Sequence, residues 1–121
     1  MNTNRIHPAK FAKIIAESGI RIQPGSYIDR NAPDFCGCGI TAAYMAKRKR
    51  CGAPDLTIRE FYELNASIMI SELGLRNDYV AGFTDGFDSG KLLNAIDPTH
   101  FTFDYVTGRF DGEAAREVSG V

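Results

Sequence analysis

All three cysteines of this chain fall in one stretch, "DFCGCGITAAYMAKRKRC" (34–51), with two glycines and four consecutive basic residues. Residues of these types can ligate a metal, attack as a thiolate or cradle a phosphate, and their spacing decides among the three. Zinc sites pair cysteines in C-x2–4-C knuckles and repeat the pair elsewhere. Here Cys36 and Cys38 flank a single residue, and Cys51 follows alone. A fourth ligand would have to be His7 or His100, neither of them in a second pair. No metal and no cofactor is expected. A thiolate at Cys36 or Cys38 would need a base. Neither histidine stands in a signature, so no catalytic residue is assigned and the chain is read as a non-enzyme.

The phosphate reading rests on Gly37 and Gly39, which at a helix start would expose backbone amides to an anion. Its candidate residues are Gly37, Cys38, Gly39, Ile40 and Thr41, and its ligand a small anionic, nucleotide-like molecule. The stretch lacks the G-x-G-x-x-G spacing. "GFDSGKL" (86–92) has three residues between its glycines where a phosphate loop needs four, and Leu92 replaces the metal-binding hydroxyl residue. Lys47, Arg48, Lys49 and Arg50 are the candidates for nucleic-acid contact. Consecutive helical residues point all round the axis and form no single stripe, so that contact is disfavoured. Asp85, Asp88, Asp104 and Asp111 do not follow the Ca²⁺-loop pattern and are read as solvated faces and caps.

The elements that would position these residues are mostly helices. In residues 8–19, Pro8 suits a first turn, Phe11, Ile14 and Ile15 recur at helical spacing, and Gly19 supplies the stop. Alternation at Ile20 and Ile22, the Pro24-Gly25 pair and Tyr27-Ile28 predict a short hairpin near residues 20–28. Asp34 is placed to cap a helix whose apolar side holds Cys36, Ile40, Ala43 and Tyr44, with Lys47 to Arg50 at its negative end. The strongest helix signal lies in residues 57–74. Thr57 and Glu60 form a capping box, Leu56 and Phe61 a hydrophobic staple, and Ile58, Phe61, Tyr62, Ile68, Met69 and Leu73 one apolar face ending at Gly74.

The last third repeats itself: "YVAGFTDG" (79–86) and "YVTGRFDG" (105–112) agree at Tyr, Val, Gly, Asp and Gly. On a helix, Gly82, Gly86 and Gly90 share a stripe beside Tyr79, Phe83 and Phe87. Each interior glycine costs about 1 kcal/mol relative to alanine. Such a stripe implies close helix–helix contact, within the chain or between two copies, and these six residues are the candidate interface. The alternative for "HFTFDYV" (100–106) is a strand, because Phe101, Phe103 and Tyr105 alternate.

"IRIQPGSYI" (20–28) followed by "CGITAAYMA" (38–46) resembles a group of small, uncharacterised bacterial proteins. These carry an "lrPq…gsyf" segment and then a "C-A-L-G-A-A-Y" helix start. Cys38, Ile40, Ala42, Ala43 and Tyr44 match that pattern, whereas Gly39 and Thr41 stand where the group has Ala and Gly. The resemblance implies no activity. It implies that the cysteine-glycine segment belongs to the fold rather than to an active site.

With 121 residues, 44% hydrophobic and 24% charged, the chain is expected to form one mainly α domain of about five helices, α+β being the alternative. Residues 1–5 and 119–121 are expected to be loose. The expected core is Phe11, Ile14, Ile15, Ile40, Tyr44, Phe61, Ile68, Met69, Leu73, Phe83 and Phe87. No apolar run approaches the ~20 residues that cross a bilayer. The first residues show no secretory h-region, so a cytoplasmic location is expected. Residues 1–75 carry ten Lys/Arg and seven Asp/Glu, a balance of +3, and residues 76–121 four and eight, a balance of −4. This polarity, the glycine stripe and the lack of a catalytic set predict a non-enzymatic regulatory protein that forms a homodimer and binds a protein partner. Capture of a small anionic ligand is the alternative.

Overall fold

A computed structural model describes residues 4–89 and 102–120. Helices dominate it, as expected. Pro8–Lys10 forms a 3₁₀ turn leading into α1 (Phe11–Ser18), which Gly19 ends in the left-handed region at φ 69°. Strands β1 (Arg21–Ile22) and β2 (Cys36–Gly37) then pair in parallel. Helices α2 (Gly39–Arg50), α3 (Ile58–Tyr62), α4 (Ala66–Leu73), α5 (Asn77–Ser89) and α6 (Phe103–Ser119) follow.

Three expected elements come out differently. The hairpin near residues 20–28 does not form. Ile22 and Ile28 both lie against Gly37, one parallel and one antiparallel, because the Cys36–Gly37 segment takes the central position. Its neighbours supply the ladder: the Arg21 amide donates to Phe35 O at 2.8 Å, Gln23 to Gly37 O at 2.8 Å and Asp29 to Cys36 O at 2.9 Å. Asp34 therefore caps no helix and pairs with Arg21 at 2.9 Å. The helix begins instead at Gly39, with Cys38 as its cap residue.

The segment 57–74 is two helices, not one. The capping box forms as expected, Thr57 Oγ1 accepting from the Glu60 amide and Glu60 Oε1 from the Thr57 amide. The first helix stops after Tyr62, and Asn65 caps a second by accepting from the Ile68 amide at 2.9 Å. That restart resets the helical phase and turns Ile68 outward, 45% exposed, while Phe61 and Met69 stay buried. Phe103 to Val106 are helical, with Thr102 as the cap, so the strand alternative is not adopted there; residues 100 and 101 lie outside the described residues.

Two buried clusters hold these elements. One gathers Phe11, Ile40, Tyr79, Phe83 and Phe87, where Phe83 and Phe87 stack at 5.9 Å and Phe11 meets Phe87 edge-on at 5.7 Å. The other gathers Ile20, Ile28, Tyr44, Phe61 and Met69. Ile14, Ile22, Tyr27 and Leu73 pack against both. Of the remaining expected core residues, Ile14, Ile15 and Leu73 are half-buried. Residues 39–46 of α2 are buried all round, so this helix shows no amphipathic stripe in its sequence.

The glycine stripe is used inside the chain. A Cβ on Gly82 would lie 2.1 Å from Tyr105 O, and one on Gly86 2.5 Å from Arg109 O. In return a Cβ on Gly108 would lie 2.1 Å from Tyr79 O, and one on Gly112 2.2 Å from Phe83 O. Contacted residues advance together along both helices, so α5 and α6 run parallel. Each contact of one repeat is matched by the equivalent contact of the other, which makes the pair locally two-fold. Gly82→Ala and Gly108→Ala should each destabilise the protein by about 2–3 kcal/mol, despite the better helix propensity of alanine. Thermal unfolding should show a midpoint lower by roughly 8 °C; an unchanged midpoint would disprove the close approach.

Candidate functional site

The parallel pair is crossed by two equivalent polar contacts, one buried and one exposed. Tyr79 of the first repeat donates its hydroxyl to Asp111 of the second at 2.6 Å. Tyr105 of the second donates to Asp85 of the first at 2.5 Å. Each pair also meets an arginine. Arg109 NH1 donates to the Tyr105 hydroxyl at 3.3 Å. Arg5 grips Asp111 with two bonds, Nε to Oδ2 at 2.9 Å and NH2 to Oδ1 at 2.6 Å. The Ile6 amide donates to the Tyr79 hydroxyl at 2.8 Å, and the Asn4 side chain to Leu73 O at 2.8 Å. Of the residues expected to be loose, Asn4 and Arg5 thus make hydrogen bonds to distant parts of the chain, and residues 1–3 and 121 lie outside the described residues. Asp111 is 3% exposed rather than solvated. At the other end, Ser119 and Gly120 close α6 through bonds to Arg116 O and Glu117 O.

The residues proposed from sequence are placed as follows. Gly37, Cys38, Gly39, Ile40 and Thr41 are all buried. Thr41 donates to Tyr27 O, a Cβ on Gly37 would strike that same oxygen, and one on Gly39 would strike the rings of Phe83 and Phe11. The helix start is small so that backbone and rings can lie on it, which leaves no open face for an anion. Burial pushes the thiols of Cys36 and Cys38 up, at Cys38 against the amides of Thr41 and Ile40. Cys51 is exposed. Among the described residues no group of three or more His, Cys, Asp or Glu is arranged to hold a metal.

The six interface candidates fare similarly. Tyr79, Gly82, Phe83, Gly86 and Phe87 are buried by α6 and the first cluster rather than presented to a second copy. Gly90 lies outside the described residues. Lys47, Arg48, Lys49 and Arg50 spread around the end of α2, as consecutive residues must. Lys47 donates to Glu72 O, Arg48 to Pro54 O at 2.8 Å while lying 6.0 Å from the Tyr44 ring, and Arg50 faces Glu17 at 3.9 Å.

The fixed N-terminal segment walls a cleft that single-sequence reading missed. A space of about 880 Å³ opens between it, α1, α2 and the end of α4. Its floor is aliphatic (Ile14, Ala43, Leu73, Leu75), and Asn4, Lys47 and Cys51 stand among these residues. An adjoining space of about 430 Å³ is lined by Lys10, Lys13 and Glu17, and shares Arg5, His7, Ile14 and Arg50 with the first. Lys10 caps α1 and Lys13 sits in its first turn, where no acid is present. That is the positive end of the helix dipole, so the cations and the dipole add. Arg5 and Arg50 have carboxylate neighbours, whereas Lys10 and Lys13 make no ion pair among the described residues. Among the described residues the one acid lining either space is Glu17.

A second surface stands on α6. Phe103 is 85% exposed and Phe110 57%, both on the side opposite Gly108 and Gly112, and Val118 near the end of the helix is 47% exposed. No helix among the described residues is long and apolar enough to cross a membrane. The fold and cleft together define a mainly α protein with a cleft lined in part by basic residues. Compared with protein-family models, curated proteins and solved structures, the chain finds no significant match.

The buried cluster has a pH signature. Burial, and then Asp111, raise Tyr79 well above the ordinary tyrosine value near 10. Its folded-state value therefore exceeds its unfolded one, so its contribution is complete below about pH 10 and lost as pH rises beyond. Tyr79→Phe should lose about 1–2 kcal/mol at neutral pH, from two broken hydrogen bonds. The variant should then fall less steeply than the parent above about pH 10. Urea unfolding across that range measures both; parallel curves would disprove the assignment.

Proposed function

We propose that this protein binds an anionic small molecule in the cleft between its N-terminal segment, α1 and α2. The observation that carries this reading is the gathering of Arg5, Lys10, Lys13, Lys47 and Arg50, with His7, around two adjoining spaces that share Arg5, His7 and Arg50 and are lined, among the described residues, by one acid, Glu17. It takes up the ligand class of the alternative reading from sequence, in place of the expected partner-binding regulator, and moves the site away from Gly37–Thr41. One exposed ion pair contributes at most about 1 kcal/mol, so only several cations acting together hold an anion. A pocket of several hundred Å³ is of small-molecule size.

Inorganic tripolyphosphate tests the site. It should bind at low ionic strength, weaken with salt and raise the unfolding temperature. The double variant Lys10→Glu/Lys13→Glu should reduce affinity about ten-fold or more, a difference of about 1.4 kcal/mol. Iodoacetamide should label Cys51 alone in the native protein. Binding that ignores the charge reversals would remove the cleft as the site.

A second reading, partner binding, is favoured by the outer face of α6. Glu117, on one helical face with Phe110, is acidic and exposed, so the surface suits an apolar partner with a basic rim rather than a second copy. Light scattering at micromolar concentration should then find a monomer. A dimer dispersed by Phe103→Asp would favour self-association instead.

A further inference from the structure

We infer that the anion held in this cleft is a nucleoside polyphosphate, a conclusion that rests on the anion-binding reading above. The cleft has two unlike lobes. One carries four basic side chains, Arg5, Lys10, Lys13 and Arg50, with His7, Ile14 and the single acid Glu17 among them. The other joins an aliphatic floor of Ile14, Ala43, Leu73 and Leu75 to the polar side chains of Asn4 and Lys47. Arg5, His7, Ile14 and Arg50 belong to both, so the lobes adjoin and one molecule can occupy them together.

Each simpler anion fits half of this space. A bare polyphosphate fills the cationic lobe and leaves the aliphatic floor in water. An alkyl phosphate covers the floor and lays methylenes against the polar groups of Asn4 and Lys47, which then lose water without gaining a partner. A nucleobase has apolar faces and a hydrogen-bonding edge, and so answers both kinds of lining. Asn4 spends one donor on Leu73 O. Its carboxamide retains a second N–H and an acceptor oxygen for a base edge. The linked phosphates then lie at the start of α1, where Lys10 and Lys13 add to the helix dipole.

Titration calorimetry with the four common ribonucleoside triphosphates, inorganic tripolyphosphate and dodecyl phosphate tests this. At least one nucleotide should bind about ten-fold or more tightly than tripolyphosphate and than dodecyl phosphate. Leu73→Ala should remove most of that advantage while leaving tripolyphosphate affinity unchanged. Should that variant not fold, Asn4→Ala, at an exposed position, makes the same comparison. Lys10→Glu/Lys13→Glu should weaken nucleotide and tripolyphosphate alike. Equal binding of nucleotide and tripolyphosphate would overturn the nucleotide inference and leave the anion cleft standing. Tighter binding of dodecyl phosphate would overturn it in favour of an amphiphile. A nucleotide advantage that survives both Leu73→Ala and Asn4→Ala would place the base elsewhere and overturn it too. No binding by any of these phosphates would overturn both readings.

Discussion

The contact on which the structure depends is the approach of α5 to α6 with nothing but glycine between their backbones. Gly82, Gly86, Gly108 and Gly112 remove the side chains that would hold the two helices apart. Close parallel helices turn their neighbouring polar residues inward, and Asp111 ends up almost wholly buried. A buried carboxylate is costly unless hydrogen-bonded and paired. Tyr79 supplies one bond across the helix pair, and Arg5 supplies two from a segment more than a hundred residues away in sequence. The N-terminal segment is thereby fixed against the helices, and its fixed position gives the cleft its outer wall.

Some of this was legible in the sequence because the signals are local. A capping box, a glycine stop and a proline-led first turn are decided within a few residues, and Thr57/Glu60, Gly19 and Gly74 behave as their neighbours dictate. The small, apolar run after Cys38 was readable as packing, and Gly39 indeed receives the rings of Phe11 and Phe83. The repeated glycines were readable as close contact. Whether that contact joined two helices of one chain or two copies was not, because both arrangements require the same residues.

The misplaced features share a physical cause: each depends on a partner distant in sequence. Ile22 and Ile28 carry strand-like alternation, but the strand they meet is residues 36–37 rather than each other. Asn65 lies inside the stretch read as a single helix and is the cap of a second one, a distinction set by how α3 and α4 pack on the second cluster. Asp111 looked like a surface carboxylate because Arg5, which neutralises it, lies at the far end of the chain. The cleft was illegible for the same reason. Its cations come from the N-terminal segment, from α1 and from α2, and no window of sequence contains all three.

Basic residues at a helix end need no functional explanation when the end is the negative one. Lys47 and Arg50 close α2, where the dipole favours cations by about 0.3–1 kcal/mol each, and stability alone accounts for them there. Lys10 and Lys13 stand at the opposite pole. They occupy the start of α1, where the same dipole disfavours cations and an acid or a hydroxyl cap is the stabilising choice. No carboxylate pairs with either among the described residues, so folding gains no compensating ion pair. Two cations held where the helix itself repels them, beside Arg5 and His7 and facing a cleft, are better explained by what enters the cleft than by what holds the fold. An anion bound there, as proposed, would remove the repulsion, and the sites that cost the free protein stability would become those that stabilise the complex.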